Sequence, residues 1–260
     1  MCTVSFLPNK HGFYLAMNRD EKRARFFALA PAIVEVESHR AVFPREPTGG
    51  TWIAANDAGV CLALINWHRI EREPKNDTLS RGLVVRQLAG KSTADEITTA
   101  VKKLPLRKLR PFRLIAVSRA ETRLIEWRWN LERLTLRDHE WQRQHWFSSG
   151  FNEGRAERER AKICISFVAG GGDPCKRESS PPRERAGVNA AGYSLRWLRQ
   201  LHRSHAPACG PFSICMHRPD AATVSYTEIA VRDRQVMMRY RAGPACAHAP
   251  LVAKSIGRVL

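Results

Sequence analysis

No run of about eighteen apolar residues occurs anywhere in this chain, so the sequence offers no membrane-spanning helix. The opening "MCTVSFLPNKHG" lacks the basic-then-apolar plan of a secretory leader and turns polar too soon, so a cytoplasmic protein is expected. Cysteine pairing is scarce as well. The seven cysteines, Cys2, Cys61, Cys164, Cys175, Cys209, Cys215 and Cys246, are odd in number and scattered, which argues against a disulfide framework in a chain of 260 residues. No C-x-x-C pair and no Cys/His cluster marks a zinc site, so neither a metal nor a cofactor is expected, and most of the cysteines read as small buried hydrophobes or loop residues. Internal repeats are absent.

Acidic side chains are few. There are 25 Asp and Glu against 43 Lys and Arg, a net charge of +18. Such an excess can serve nucleic acid or a membrane surface. Here the basic residues are spread along the whole chain, stretches such as "RAERERAK" mix both signs, and no nucleic-acid motif accompanies them. An arginine-rich solvated surface, with an affinity for anionic ligands, is the reading that remains.

Apolar residues are plentiful, at 43 %, enough to bury a large core. Their spacing predicts hairpins in the first part of the chain. Residues 2–7 and 13–19 flank the turn "PNKHG"; "AIVEVE" (32–37) alternates; "FPREPTGG" reads as a loop; "TWIAAN" and "VCLALINW" form a second hairpin. Helices are predicted over 80–90 and 92–104, the second with a Ser/Thr cap and acidic first turn. Strands follow over 112–118, 123–130, 131–137 and 145–152, then a helix over 153–168. "GGGDPCKRESSPPRERAG" (170–187) reads as a mobile surface insertion. "GYSLRWLRQLHRSH" is an amphipathic helix, and "FSICMHR", "ATVSYTEIAVR" and "QVMMRYRAG" read as three closing strands. Antiparallel hairpins with helices inserted between them predict a four-layer αββα sandwich, an α+β fold in one domain spanning residues 1–260.

One strand ends oddly. "FYLAMNRDE" breaks from apolar residues into Asn18, Arg19, Asp20 and Glu21. With the turn centred on Lys10–His11, paired residues sum to about 21, so Cys2 falls opposite Arg19, beside Asn18 and Asp20, although a slip of one residue would flip the faces. Cys2 follows an initiator methionine that a small second residue allows to be removed. Removal would leave a thiol and a free α-amino group on one residue, a nucleophile and a base together. The amine titrates at about 7.7–8.0, near working pH. An arginine beside the thiol favours thiolate, and Asn66, ending an otherwise apolar strand, can donate to a developing oxyanion.

Taken together, "MCTVSF", "MNRDE", "GGTWIAANDAGVCLALINW" and "SRG" resemble the NRDE family, also called the transport and Golgi organisation family, and "FSICMHRPDAATVSYTEIAV" looks like the closing strands of its bacterial members. That family is similar to the cysteine branch of the N-terminal nucleophile hydrolases, with penicillin V acylases and bile-salt hydrolases. The resemblance implies the same αββα fold, Cys2 as nucleophile, Asp20 as its supporting carboxylate, Asn66 as oxyanion donor and Arg19 as the neighbouring arginine, one position nearer the aspartate than in the acylases. Asn152 matches a further acylase asparagine, while Asn18, Trp52 and His217 are expected at the substrate, with Arg218 at the site wall. The function so implied is an amidohydrolase acting on a linear carbon–nitrogen bond of an anionic or hydrophobic small molecule. The alternative is a non-catalytic binding or trafficking protein for haem, a lipid or an acyl-CoA-type ligand, with Cys215 and His217 as conceivable iron ligands.

Overall fold

The computed structural model describes residues 2–25, 28–75, 78–167 and 193–259. Chain order there is β1 (Cys2–Asn9), β2 (Gly12–Lys22), β3 (Leu29–Val36), β4 (His39–Arg45), β5 (Ile53–Asn56), β6 (Val60–Asn66), α1 (Gly82–Leu88), α2 (Ala94–Lys102), β7 (Phe112–Ser118), β8 (Arg123–Trp129), β9 (Leu134–His139), β10 (Gln144–Ser148), α3 (Glu153–Ser166), α4 (Leu195–Arg203), β11 (Ala221–Arg232), β12 (Gln235–Ala242) and β13 (Val252–Gly257). Two antiparallel sheets result. One runs β10-β1-β2-β11-β12-β13 and the other runs β3 to β9 in sequence order.

The side-chain alternation of each strand explains the layers. On β1, Cys2, Val4 and Phe6 point between the sheets, meeting Phe13, Leu15 and Met17 of β2 and Ile53, Cys61, Ala63 and Ile65 of the facing sheet. Leu7 and Ala16, on the opposite faces, pack under α3 and α4 with Ile163, Trp197, Leu198 and Leu201. β6 and β7 are apolar on both faces because their sheet is covered twice, and Leu62, Leu64, Leu114 and Ala116 meet Val84, Val85 and Leu88 of α1 and Ile97 and Val101 of α2. The order is therefore α3/α4, sheet, sheet, α1/α2, the four-layer αββα sandwich. The caps follow sequence. Thr93 accepts the N–H of Glu96 at the start of α2, and Ser194 accepts that of Trp197 at the start of α4.

Two expectations need correction, and one strand had none. "FSICMHR" is not a strand: apart from an isolated bridge between His217 and Ala222, residues 212–218 form an irregular buried segment. β4 lies partly in what read as a loop. Its Pro44 falls beyond Ala41 and Val42, the residues that pair with β5, so the missing N–H removes no bond from that ladder. β13 gave no signal because it is a short edge strand with a mostly exposed side-chain set. The stretch 170–187 lies outside the described residues. Among the described residues no helix is long and apolar enough to cross a membrane.

Candidate active site

The first hairpin places the site. Cys2 pairs with Arg19 in register, as the turn counting expects, and β1 continues between β2 and β10. Opposite the Arg19–Asp20 step, β11 carries a bulge at Val224, so Thr223 faces Asp20 while Ser225 faces Arg19. Cys2, Arg19, Asp20, Glu21, Trp52 and Asn66 all line one cleft of about 380 Å³. Its wall beyond Asn66 is the Ser80–Gly82 turn that starts α1. That turn can approach because two glycines meet. A Cβ on Gly82 would lie 3.1 Å from the Gly50 Cα, and the Gly82 carbonyl accepts the Thr51 N–H at 2.9 Å.

Each member of the Asn18–Glu21 quartet has a different task. Asn18 is fully buried and leaves the cleft altogether: its amide donates to the carbonyls of His202 (2.9 Å) and Ile214 (2.8 Å), pinning the irregular segment to the sheet. Arg19 lies over the Trp52 ring, its guanidinium carbon 4.3 Å from the centroid, and donates to Glu46 at 2.6 Å. Asp20, 1 % exposed, accepts from the Thr223 hydroxyl at 2.7 Å and from Arg160 at 3.2 Å. Glu21 pairs with Arg25 at 2.9 Å, and Arg25 also reaches Glu46 at 3.0 Å.

Arg160 is the residue that sequence reading passed over, hidden in the charged run "RAERERAK". It is fully buried on α3. It binds Asp20, the Thr3 hydroxyl at 3.0 Å and the Cys2 carbonyl at 3.4 Å, so one guanidinium ties the start of β1 to the carboxylate on β2. Its neighbours Ala156, Ile163 and Cys164, four before and three and four after, are buried too, and that helical stripe was the available signal. Arg81, the middle residue of "SRG", is a second site residue without a role in the sequence pattern. It lines the cleft, has no carboxylate partner among the described residues, and donates to the Pro111 carbonyl. Burial, with Arg110 adding to it, lowers its pKa to about 10.

Burial pushes the Cys2 thiol above its ordinary value. The N-terminal ammonium opposes the rise most, the Asp20 carboxylate adds to it, and the Asp20 backbone N–H and the Arg19 guanidinium oppose it further. At neutral pH the thiol is therefore protonated. The Asn66 amide ends β6 opposite Phe112 with no hydrogen bond to protein among the described residues, free to donate into the cleft.

Asn152 and His217 lie elsewhere. Asn152 has positive φ, caps α3 and accepts the Arg155 N–H at 3.1 Å. His217 stands in a compact group with His205, Cys215 and Cys246. With those donor atoms already crowded together, nothing here supports a haem site on Cys215 and His217. Arg218, in turn, is held by Asp220 at 2.8 Å.

Two face-to-face antiparallel sheets between helix layers, with a cysteine heading an inner strand, define a fold of the N-terminal nucleophile hydrolase class. Solved structures share it along nearly their whole length. A variant of the conjugated bile acid hydrolase from Clostridium perfringens is 11 % identical, with 98 % of this chain and 92 % of that one covered at a TM-score of 0.52. The penicillin V acylase from Agrobacterium tumefaciens is 12 % identical, with 97 % and 85 % covered at a TM-score of 0.54. At these identities the likeness is one of fold. Residues 1–165 match the family described as Transport and Golgi organisation 2, and the chain belongs to that family. Among curated proteins no match is found.

Proposed function

We propose that the protein is an N-terminal-cysteine amidohydrolase that cleaves a linear amide in a small anionic or hydrophobic acyl compound. The observation that carries this reading is the convergence of Cys2, Arg19, Asp20 and Asn66 on one cleft. Once Met1 is removed, the α-amino group of Cys2 takes the thiol proton as sulfur attacks the amide carbon. The Asn66 amide donates to the oxyanion as it forms. Collapse of the intermediate breaks the C–N bond, and the α-ammonium protonates the leaving amine. Water, deprotonated by the same amine, then releases the acid from the thioester. Asp20, held by Arg160 and Thr223, steadies the N-terminal end of β1 and its ammonium charge. Arg81, without a carboxylate partner, is suited to an anionic group on the substrate.

The fold neighbours are described as a penicillin V acylase and a conjugated bile acid hydrolase, which makes penicillin V and conjugated bile acids the first members of an N-acyl amide panel. The test is hydrolysis of that panel by protein whose N-terminus has been verified as Cys2. Turnover by this form, lost in Cys2→Ala, supports the reading; equal turnover by Cys2→Ala refutes it. A binding-only reading draws on the same unpaired Arg81, and it predicts that the panel binds with no turnover by either form.

A further inference from the structure

The four residues His205, Cys215, His217 and Cys246 come from three separate stretches: the end of α4, the irregular segment before β11, and the loop after β12. Only Cys215 and His217 are near in sequence, so the cluster was invisible to a search for paired Cys and His motifs. Their donor atoms all lie within 4.8 Å of one another. His217 Nε2 is 3.2 Å from His205 Nε2, 3.6 Å from Cys215 Sγ and 3.4 Å from Cys246 Sγ.

Ordinary hydrogen bonding accounts poorly for this. One ring nitrogen carries either one proton or one lone pair in the plane, and here three donor atoms converge on it. A shared cation accounts for it directly. Around tetrahedral zinc, with Zn–N of about 2.0–2.1 Å and Zn–S of about 2.3 Å, ligand–ligand edges are about 3.4 Å for N–N and about 3.6 Å for S–N. The three separations at His217 fall within a few tenths of an ångström of those edges, and the remaining ones stay within the 4.8 Å that bounds the group.

We propose that His205, Cys215, His217 and Cys246 form a closed Cys2His2 zinc site that pins the irregular 212–218 segment against α4 and the loop after β12. Two thiolates neutralise the dication, two imidazoles complete the tetrahedron, and binding releases the two thiol protons. The donor set favours zinc over magnesium, calcium or manganese, which take oxygen ligands. His205 and Cys215 are buried while His217 and Cys246 are half-buried, leaving a side from which the ion enters. Four protein ligands leave no open position, so the site is structural. The pinned segment is the one behind the cleft: the Met216 N–H donates to Thr223 Oγ1 at 2.8 Å, and that hydroxyl donates to Asp20. The proposal does not depend on the hydrolase reading.

The test uses the full chain, expressed in zinc-supplemented medium and purified without chelator or immobilised metal. Elemental analysis is expected to find about one zinc per chain. Replacement by cobalt(II) is expected to give the visible d–d bands of a tetrahedral site with sulfur-to-metal charge transfer. Cys246→Ser, in a half-buried loop, is expected to lose at least about tenfold in metal retained against a chelator, whereas Cys164→Ala, on α3 and outside the cluster, keeps the metal. Wild-type protein that is folded by circular dichroism yet holds no zinc and gives no tetrahedral cobalt spectrum would overturn the proposal. A Cys215–Cys246 disulfide, found by alkylation and intact mass, would overturn it equally.

Discussion

The thiol of Cys2 sits in a conflict between burial and charge, in which burial raises it while the N-terminal ammonium, and more weakly Arg19, oppose the rise. A raised thiol is a poor nucleophile alone, so the proposed mechanism depends on the α-amine that Met1 removal would leave on Cys2. Asn66→Ala is expected to lower kcat by about 10²–10³ with little change in KM, since an oxyanion donor acts in the transition state. Arg81→Ala is expected to raise KM for anionic substrates and spare neutral ones. Arg160→Met leaves Asp20 buried without its cation, which is expected to cost about 3–5 kcal/mol in urea unfolding. Sequence went far at this scale: Cys2, Arg19, Asp20, Trp52 and Asn66 all reach the cleft. It failed where a side chain's partner is tertiary. Asn18 reads as polar and available, yet two carbonyls far away in the chain consume its amide.

Among the elements, the β1–β2 hairpin sets the geometry, because its register alone puts Cys2 opposite Arg19. Gly12, with φ +147°, begins the return strand, and a Cβ there would meet the Val231 carbonyl oxygen at 1.9 Å. Gly12→Ala is therefore expected to push β2 from β11 and to destabilise by more than about 1 kcal/mol, with loss of cleft chemistry, read by denaturant midpoint and activity together. The hairpins and α1 to α4 were legible because period and punctuation agreed. "FSICMHR" was misread because its alternation mimics a strand, whereas its polar contacts, with Ser213 donating to the Cys215 carbonyl at 2.7 Å and Ser204 accepting the Cys215 N–H at 2.9 Å, hold it out of the sheet. No local pattern encodes such long-range satisfaction.

At the scale of the whole molecule, two histidines that α4 and the six-stranded sheet bury together make the fold acid-sensitive. Ser5 Oγ lies 2.9 Å from both His145 and His202. Burial, with Arg143 adding for His145 and His145 adding for His202, lowers each ring to about 3. In the unfolded chain these rings titrate near about 6.5, so their stabilisation is complete above that pH and is lost as pH falls toward 3. Each contributes up to about 1.4 kcal/mol per pH unit in that window. Unfolding free energy measured at pH 7, 6 and 5 is expected to fall steadily, and His202→Gln is expected to flatten the slope. Acid also raises a net charge already at +18, so added salt should soften the loss. Composition announced that charge but not its use. The acidic residues, by contrast, are engaged in pairs such as Arg113–Glu126 and Arg199–Glu228, legible only once the sheets bring them together.

The central claim is that Cys2 acts as an N-terminal nucleophile. Its most direct measurement is intact-mass spectrometry of the processed protein during turnover of a hydrolysed N-acyl amide. A mass increase of one acyl group, mapped to Cys2 and absent from protein that retains Met1, is the predicted result. Full hydrolysis by the Met1-retaining form would contradict the account.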